Sequence, residues 1–227
     1  MKLNTVVPWG RSLDEYKMMF DLSESDLKKS ILGCGDGPAS FNSEVTAAGG
    51  HVISIDPLYA FSAEDIQGRI EETHKSIVSQ MKQNLQRYVW TQFKDPDDLG
   101  RARLEVMRVF LQDFEKGLTE GRYLTEALPS LSFAENQFEL CLCSHLLFLF
   151  SEQFSLEFHI ESIQELLRVG SEVRIFPIMG LNCQISPYLE PVQQHFRERG
   201  YSAEVVQVDY EVQRDGNYML CLKGQEA

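Results

Sequence analysis

Ile31-Leu-Gly-Cys-Gly-Asp-Gly-Pro38 is the stretch on which the fold turns. A short apolar run, Ser30 to Leu32, stops at Gly33. Three glycines then alternate, and Pro38 suits the first turn of a helix closed by Gly49-Gly50. Glycines permit tight turning and close approach of backbone to a ligand. The unpaired N–H groups at the following helix start suit a carboxylate or phosphate. A second strand, His51 to Ile55, stops at Asp56-Pro57. Asp56 stands 23 residues beyond Gly33, a spacing that lets an acidic side chain accept hydrogen bonds from ribose hydroxyls.

On the N-terminal side, Ser12-Leu-Asp-Glu15 reads as a capping box opening a helix through about Leu22. On the C-terminal side, Ile66, Ile70, Ile77, Met81, Leu85 and Val89 form one apolar stripe at helical spacing. Leu104, Met107, Leu111, Phe114 and Leu118 form a second. A crossover in a parallel sheet usually needs one helix, so the second stripe is read as the crossover and 62–93 as a helical insertion. Tyr123-Leu124 ends a short third strand, and Phe138 to Cys143 is apolar as a buried parallel strand should be. Helices over Leu156–Leu167 and Pro187–Arg199 flank a strand at Val173–Phe176. Ala203–Val208 and Tyr218–Leu222 read as strands joined through the turn Arg214-Asp-Gly216. Such alternation implies a mostly parallel sheet covered on both faces.

Composition narrows the function. Of the 227 residues, 43% are apolar and 24% charged, which suits a globular α/β chain. The net charge of −13 opposes nucleic acid and anionic membrane surfaces as partners. The most apolar run, Leu140 to Phe150, is short of the roughly 20 residues that cross a bilayer. The first residues lack the apolar core of a signal peptide, so a cytoplasmic protein is expected. Five cysteines at scattered spacing, with no C-x-x-C, read as reduced packing thiols rather than disulfides or a metal site. Cys141 and Cys143, two apart on a strand, face one side of it.

Leu32-Gly-Cys-Gly-Asp-Gly-Pro38 resembles the first motif of class I S-adenosylmethionine-dependent methyltransferases. Ser54-Ile-Asp-Pro-Leu58 resembles their second, and Leu131-Ser-Phe-Ala-Glu-Asn-Gln-Phe-Glu-Leu140 resembles the stretch leading into their fourth strand. Leu166-Leu-Arg-Val-Gly170 resembles the helix before their fifth. Ser132 and Glu139 depart from the usual Pro and Asp. The resemblance implies one α/β domain over 1–227, with a Rossmann-like, seven-stranded, mostly parallel sheet and helices on both faces. The terminal hairpin supplies its antiparallel strand, the insertion follows the second strand, and a helical segment, 1–28, leads in.

The same resemblance implies S-adenosylmethionine as cofactor. It would be held by Gly33, Cys34, Gly35 and Asp36, by Asp56, Pro57 and Leu58, by Glu126, Ala127 and Leu128 at the adenine, and by Ser144 after the fourth strand. His145 is the candidate catalytic residue, as base or substrate-orienting group, set against a histidine packed under the neighbouring loop. Arg11 is a candidate for the methionine carboxylate, against a solvated arginine near a helix start. His74, His159 and His195 read as helix surface or packing residues. The fourth strand lacks the Asn/Asp-Pro-Pro-aromatic ending of many amino methyltransferases, which favours a small-molecule acceptor. Two other readings stay open: a cofactor-binding protein without catalysis, and an NAD-dependent oxidoreductase, the latter opposed by Pro38 where the dinucleotide fingerprint has its third small residue. The insertion is either a lid over the acceptor or a helix packed as scaffold.

Overall fold

The computed structural model describes residues 7–224; the first part of the predicted leading segment, 1–6, lies outside them. The capping box at Ser12 and Glu15 opens helix α1, Leu13–Phe20, which ends at Asp21 in the left-handed region, φ 47°. Strand β1, Ser30–Cys34, runs two residues past the apolar run that announced it. Helix α2 spans Phe41–Ala47 and strand β2 His51–Ile55. Pro38 therefore lies before the helix, not in its first turn. The Ser40 N–H donates to the Arg11 carbonyl at 3.2 Å, and Gly10 lies against the Pro38 carbonyl so closely that a Cβ would stand 2.0 Å away. The leading segment occupies the backbone groups that an earlier helix would have used.

The insertion is shorter as a helix than its stripe predicts. Helix α3 spans Ala63–Lys82, and Leu85–Arg87 form a single tight turn. The chain then runs as a strap to Asp95, which caps helix α4, Pro96–Thr119. Leu85 and Val89 belong to no helical face: Leu85 is exposed, and Val89 donates its N–H to the Val212 carbonyl at 2.9 Å. The stripe of α4 is also displaced. Leu104 and Leu118 are exposed, while Leu99, Arg103, Met107, Phe110 and Phe114 are buried.

Strands β3 (Tyr123–Leu124), β4 (Leu140–Ser144) and β5 (Glu172–Phe176) follow, with helix α5, Leu156–Val169, between the last two. Helix α6, Leu189–Arg197, precedes strands β6 (Tyr201–Gln207) and β7 (Tyr218–Gly224). The sheet order is β3-β2-β1-β4-β5-β7-β6, and β7 alone runs antiparallel to its neighbours. This is the seven-stranded arrangement that the resemblance implied. The expected turn at 214–216 is the tip of a longer loop, 208–217, rather than a tight hairpin.

Alternation along each strand sorts the two layers. Ile31, Leu140 and Leu142 pack with α1 and α2, while Leu32, Cys141 and Cys143 pack with α5 and α6. The two cysteines thus share one face and fill the core. Neighbouring strands cross over in opposite directions from β1 and β4, which leaves a crevice outside their carboxyl ends. No helix among the described residues is long and apolar enough to cross a membrane.

Candidate functional site

The glycine turn is built around a buried carboxylate. Gly35 and Gly37 take φ of 70° and 52°, in the region that L side chains resist. At Gly33 a Cβ would stand 1.9 Å from Asp36 Oδ2, so the glycine makes room for that side chain. Asp36 turns inward, accepting hydrogen bonds from Tyr16 Oη at 2.7 Å and Ser54 Oγ at 2.5 Å. Burial pushes its carboxyl up to about 6, against the two hydroxyl donors and with Asp56 adding to the rise.

Asp56 closes the other side. Its Oδ2 accepts the Gly37 N–H at 2.9 Å and its Oδ1 the Leu58 N–H at 2.8 Å. Burial raises this carboxyl as well, opposed by the two backbone donors. Tyr59 Oη donates to the Gly37 carbonyl at 2.8 Å. The second strand's end therefore latches the turn, and each carboxylate oxygen keeps acceptor capacity.

These groups border a cavity of about 1380 Å³. Cys34, Gly35, Asp36, Asp56, Pro57, Leu58, Glu126, Ala127, Leu128 and His145 all line it. Two expected contacts do not. Gly33 sits behind Asp36, and Ser144 is buried with its Oγ 3.1 Å from His145 Nδ1. Asp36 lines the cavity while its carboxylate bonds Tyr16 and Ser54. Glu126 borders the cavity from the β3–β4 loop, its carboxylate held by Ser132 N and Oγ at 3.0 and 2.5 Å.

His145 has φ 51°, fixed by its N–H donating to the Phe176 carbonyl at 2.7 Å. Its ring meets Phe176 edge-on at 5.3 Å. Burial holds the imidazole well below the ordinary histidine range, and the charges of Arg11 and Arg103 push it the same way. It is a neutral group facing a positive corner. Arg11 Nη1 donates to the Trp9 carbonyl at 2.7 Å, while its buried Nε has no partner among the described residues. Of the other histidines, His159 is fully buried against Phe148 and Tyr188, and His74 stacks on Trp9 with Nε2 3.0 Å from the Gly100 carbonyl.

Sequence reasoning missed a buried triad. Arg103 from α4 donates to Glu15 Oε2 at 2.5 Å and to Tyr210 Oη at 2.9 Å; Tyr210 Oη donates to Glu15 Oε1 at 3.0 Å. Arg103 is 1% exposed, borders the cavity, and its Nε has no partner. Its signal was a basic residue inside an apolar helical stripe, between Leu99 and Met107. Also missed was an apolar wall. Leu149, Phe150, Phe154, Phe158 and Leu181 line the outer cavity, with Phe154 and Phe158 stacked at 4.4 Å.

The strap borders the same cavity at Tyr88. Val89 N–H bonds Val212, Arg214 N–H bonds the Arg87 carbonyl, and Gln92 reaches the Asp209 carbonyl at 3.2 Å. The helix α3 and its strap are thus tied to the β6–β7 loop.

The sheet order and the latched glycine turn define a Rossmann-like fold of the class I methyltransferase type. No family model matches the chain. At 30% identity over 227 residues, covering 98% of both chains, it belongs to the same family as the uncharacterized protein MJ0045 of Methanocaldococcus jannaschii. Solved structures similar to it include magnesium protoporphyrin IX methyltransferase from Synechocystis PCC 6803 with bound SAM. That likeness has a TM-score of 0.45 and 11% identity, covering 89% of this chain and 73% of that one. A SAM-dependent methyltransferase from Aquifex aeolicus is similar at a TM-score of 0.44 and 15% identity, over 92% and 90% of the two chains.

Proposed function

We propose that the chain is an S-adenosylmethionine-dependent methyltransferase acting on a small-molecule acceptor, in the cytoplasm. The observation that carries this reading is the latch between Asp56 and Gly37 at the mouth of the crevice. It offers a carboxylate for ribose hydroxyls beside a turn whose backbone admits close approach. Leu128 and Ala127, with Glu126, border the adenine end, and Arg11 supplies a guanidinium for the methionine carboxylate. The cofactor, when bound, supplies an activated methyl group. The protein's part is to align the acceptor and exclude water. The acidic chain and the apolar outer cavity both favour a small molecule over nucleic acid.

Titration calorimetry with S-adenosylmethionine, S-adenosylhomocysteine and NAD tests the reading. The first two are expected to bind and NAD to fail. Asp56→Ala should weaken cofactor binding by about 1–3 kcal/mol, the scale of hydrogen bonds to a charged group. Unchanged affinity, with the fold intact by circular dichroism, overturns the assignment of Asp56.

A further inference from the structure

The outer cavity and the positive corner together describe an acceptor. Ligand pockets usually hold about 300–1000 Å³, so a cavity of about 1380 Å³ leaves room for a second molecule beside a cofactor. That room is walled by Leu149, Phe150, Phe154, Phe158 and Leu181, and Met81 of the insertion lines the same cavity. Phe154 and Phe158 are only half-buried, although stacked on each other. Large apolar side chains left partly open on one concave wall mark a binding surface for an apolar body.

At the inner end, beside His145, the cationic side chains outnumber the carboxylate bonded to them, while Asp36 and Asp56 line the cavity at the glycine turn. Two guanidiniums, Arg11 and Arg103, act on His145, and the one carboxylate among them is Glu15. A bound cofactor would add a carboxylate, an ammonium and a sulfonium, so its own charge there is positive too. The excess remains whichever group Arg11 pairs with. Among the described residues both guanidiniums also keep a buried Nε without a partner, a shortfall that native structures rarely leave unexplained. An ammonium acceptor would meet repulsion here and would need a base to release its electron pair. His145 is a poor one, because burial and the two arginines already hold it neutral and weakly basic.

We propose that the acceptor is an amphipathic organic acid, an apolar body bearing one carboxylate, methylated on its own carboxylate oxygen beside His145. This rests on the methyltransferase reading above. The carboxylate oxygen forms a bond to the methyl carbon, the donor's S–C bond breaks, and its electron pair stays on sulfur. No proton moves, and the products are a neutral ester and a thioether. The phenylalanine wall holds the body, and loss of the negative charge on methylation weakens the hold of the positive corner on the product.

Calorimetry with matched probes tests this on the whole protein, free and saturated with S-adenosylhomocysteine. Decanoate and 2-naphthoate are compared with decylamine, 2-naphthylmethylamine and acetate. The two apolar acids should bind about tenfold or more tighter than the amines and acetate. Phe154→Ala should weaken the acids by about tenfold and leave S-adenosylhomocysteine affinity unchanged. Amines binding as well as acids, acetate binding as well as decanoate, or no measurable acid binding each overturns the proposal. Failure of S-adenosylhomocysteine to bind, with acid selectivity intact in the free protein, instead overturns the cofactor reading and the methylation step with it, and leaves an acid-binding cavity.

Discussion

Two stretches before β1 are built alike and end differently. Ser12-x-x-Glu15 and Ser23-x-x-Asp26 each exchange hydrogen bonds between the serine and the acid three residues on. In each, the acid reaches across the fold to a buried arginine: Glu15 to Arg103, and Asp26 to Arg174. The lower pair lies at the amino end of the sheet and is saturated. Arg174 bonds Glu172, the Phe20 and Asp21 carbonyls and Asp26, and Lys29 and Lys223 reinforce the two acids. The upper pair lies at the carboxyl end, against the cavity, and leaves Arg103 Nε unpartnered. One device serves as scaffold, and the other borders the cavity where a ligand would sit.

The difference predicts unequal costs. Arg103→Leu strands Glu15 in a buried site with no other cation bonded to it, so unfolding free energy should fall by about 3–5 kcal/mol. Arg174→Leu leaves Asp26 with Lys29 at 2.6 Å and Glu172 with Lys223 at 3.3 Å. Its loss should be smaller, about 1–3 kcal/mol. Urea denaturation of both variants measures this, and equal losses would break the comparison.

Acid titration separates the two ends next. An ordinary aspartate titrates near 3.9, and Asp36 is raised to about 6. Between these values the native protein holds a proton that the unfolded chain has released. The stability contributed by Asp36 therefore falls as pH rises from about 4 to about 6, by up to about 3 kcal/mol, and is constant above. Asp36→Asn should flatten that slope. Asp26 moves the opposite way: its bonds to Lys29, Ser23 and Arg174 outweigh burial and hold its carboxyl below the usual range. Its contribution is present above about 4 and is lost in acid, so Asp26→Asn should reduce acid sensitivity there instead. Denaturation midpoints across pH 2–8 distinguish the two, and a common slope in both variants would overturn the opposition.

What could be read from sequence follows from distance along the chain. The turn at Gly33–Gly37, the strand ending at Asp56 and the cap at Ser12 are local patterns, and each element formed where its residues pointed. The order of strands was carried by the resemblance. Arg103 was missed because its partners stand 88 and 107 residues away, and an apolar stripe drawn through Leu104 rotates the helix by one residue. The inward turn of the Asp36 side chain, into the space left by Gly33, is likewise not legible in sequence, which does not say which way a side chain turns. The stripe through Leu85 and Val89 keeps helical period after the helix has ended, because pairing of Val89 with Val212 took over its backbone.

The smallest effects come from the serines that begin each device. Ser12→Ala removes the Oγ that accepts the Glu15 N–H at 3.3 Å, and Ser23→Ala removes the Oγ bonded to both the N–H and the carboxylate of Asp26. Each should cost about 0.5–2 kcal/mol, the usual worth of such a cap, and thermal denaturation should rank them close together. Their effects on binding should differ. Glu15 orients Arg103 through Oε2, the same oxygen that accepts the Ser12 Oγ–H at 3.5 Å. Loosening that carboxylate loosens the positive corner facing His145, so Ser12→Ala should weaken decanoate binding a few-fold. Ser23→Ala, acting at the far end of the sheet, should leave it unchanged. Equal binding by both variants at equal stability loss would show that the upper device is scaffold like the lower one.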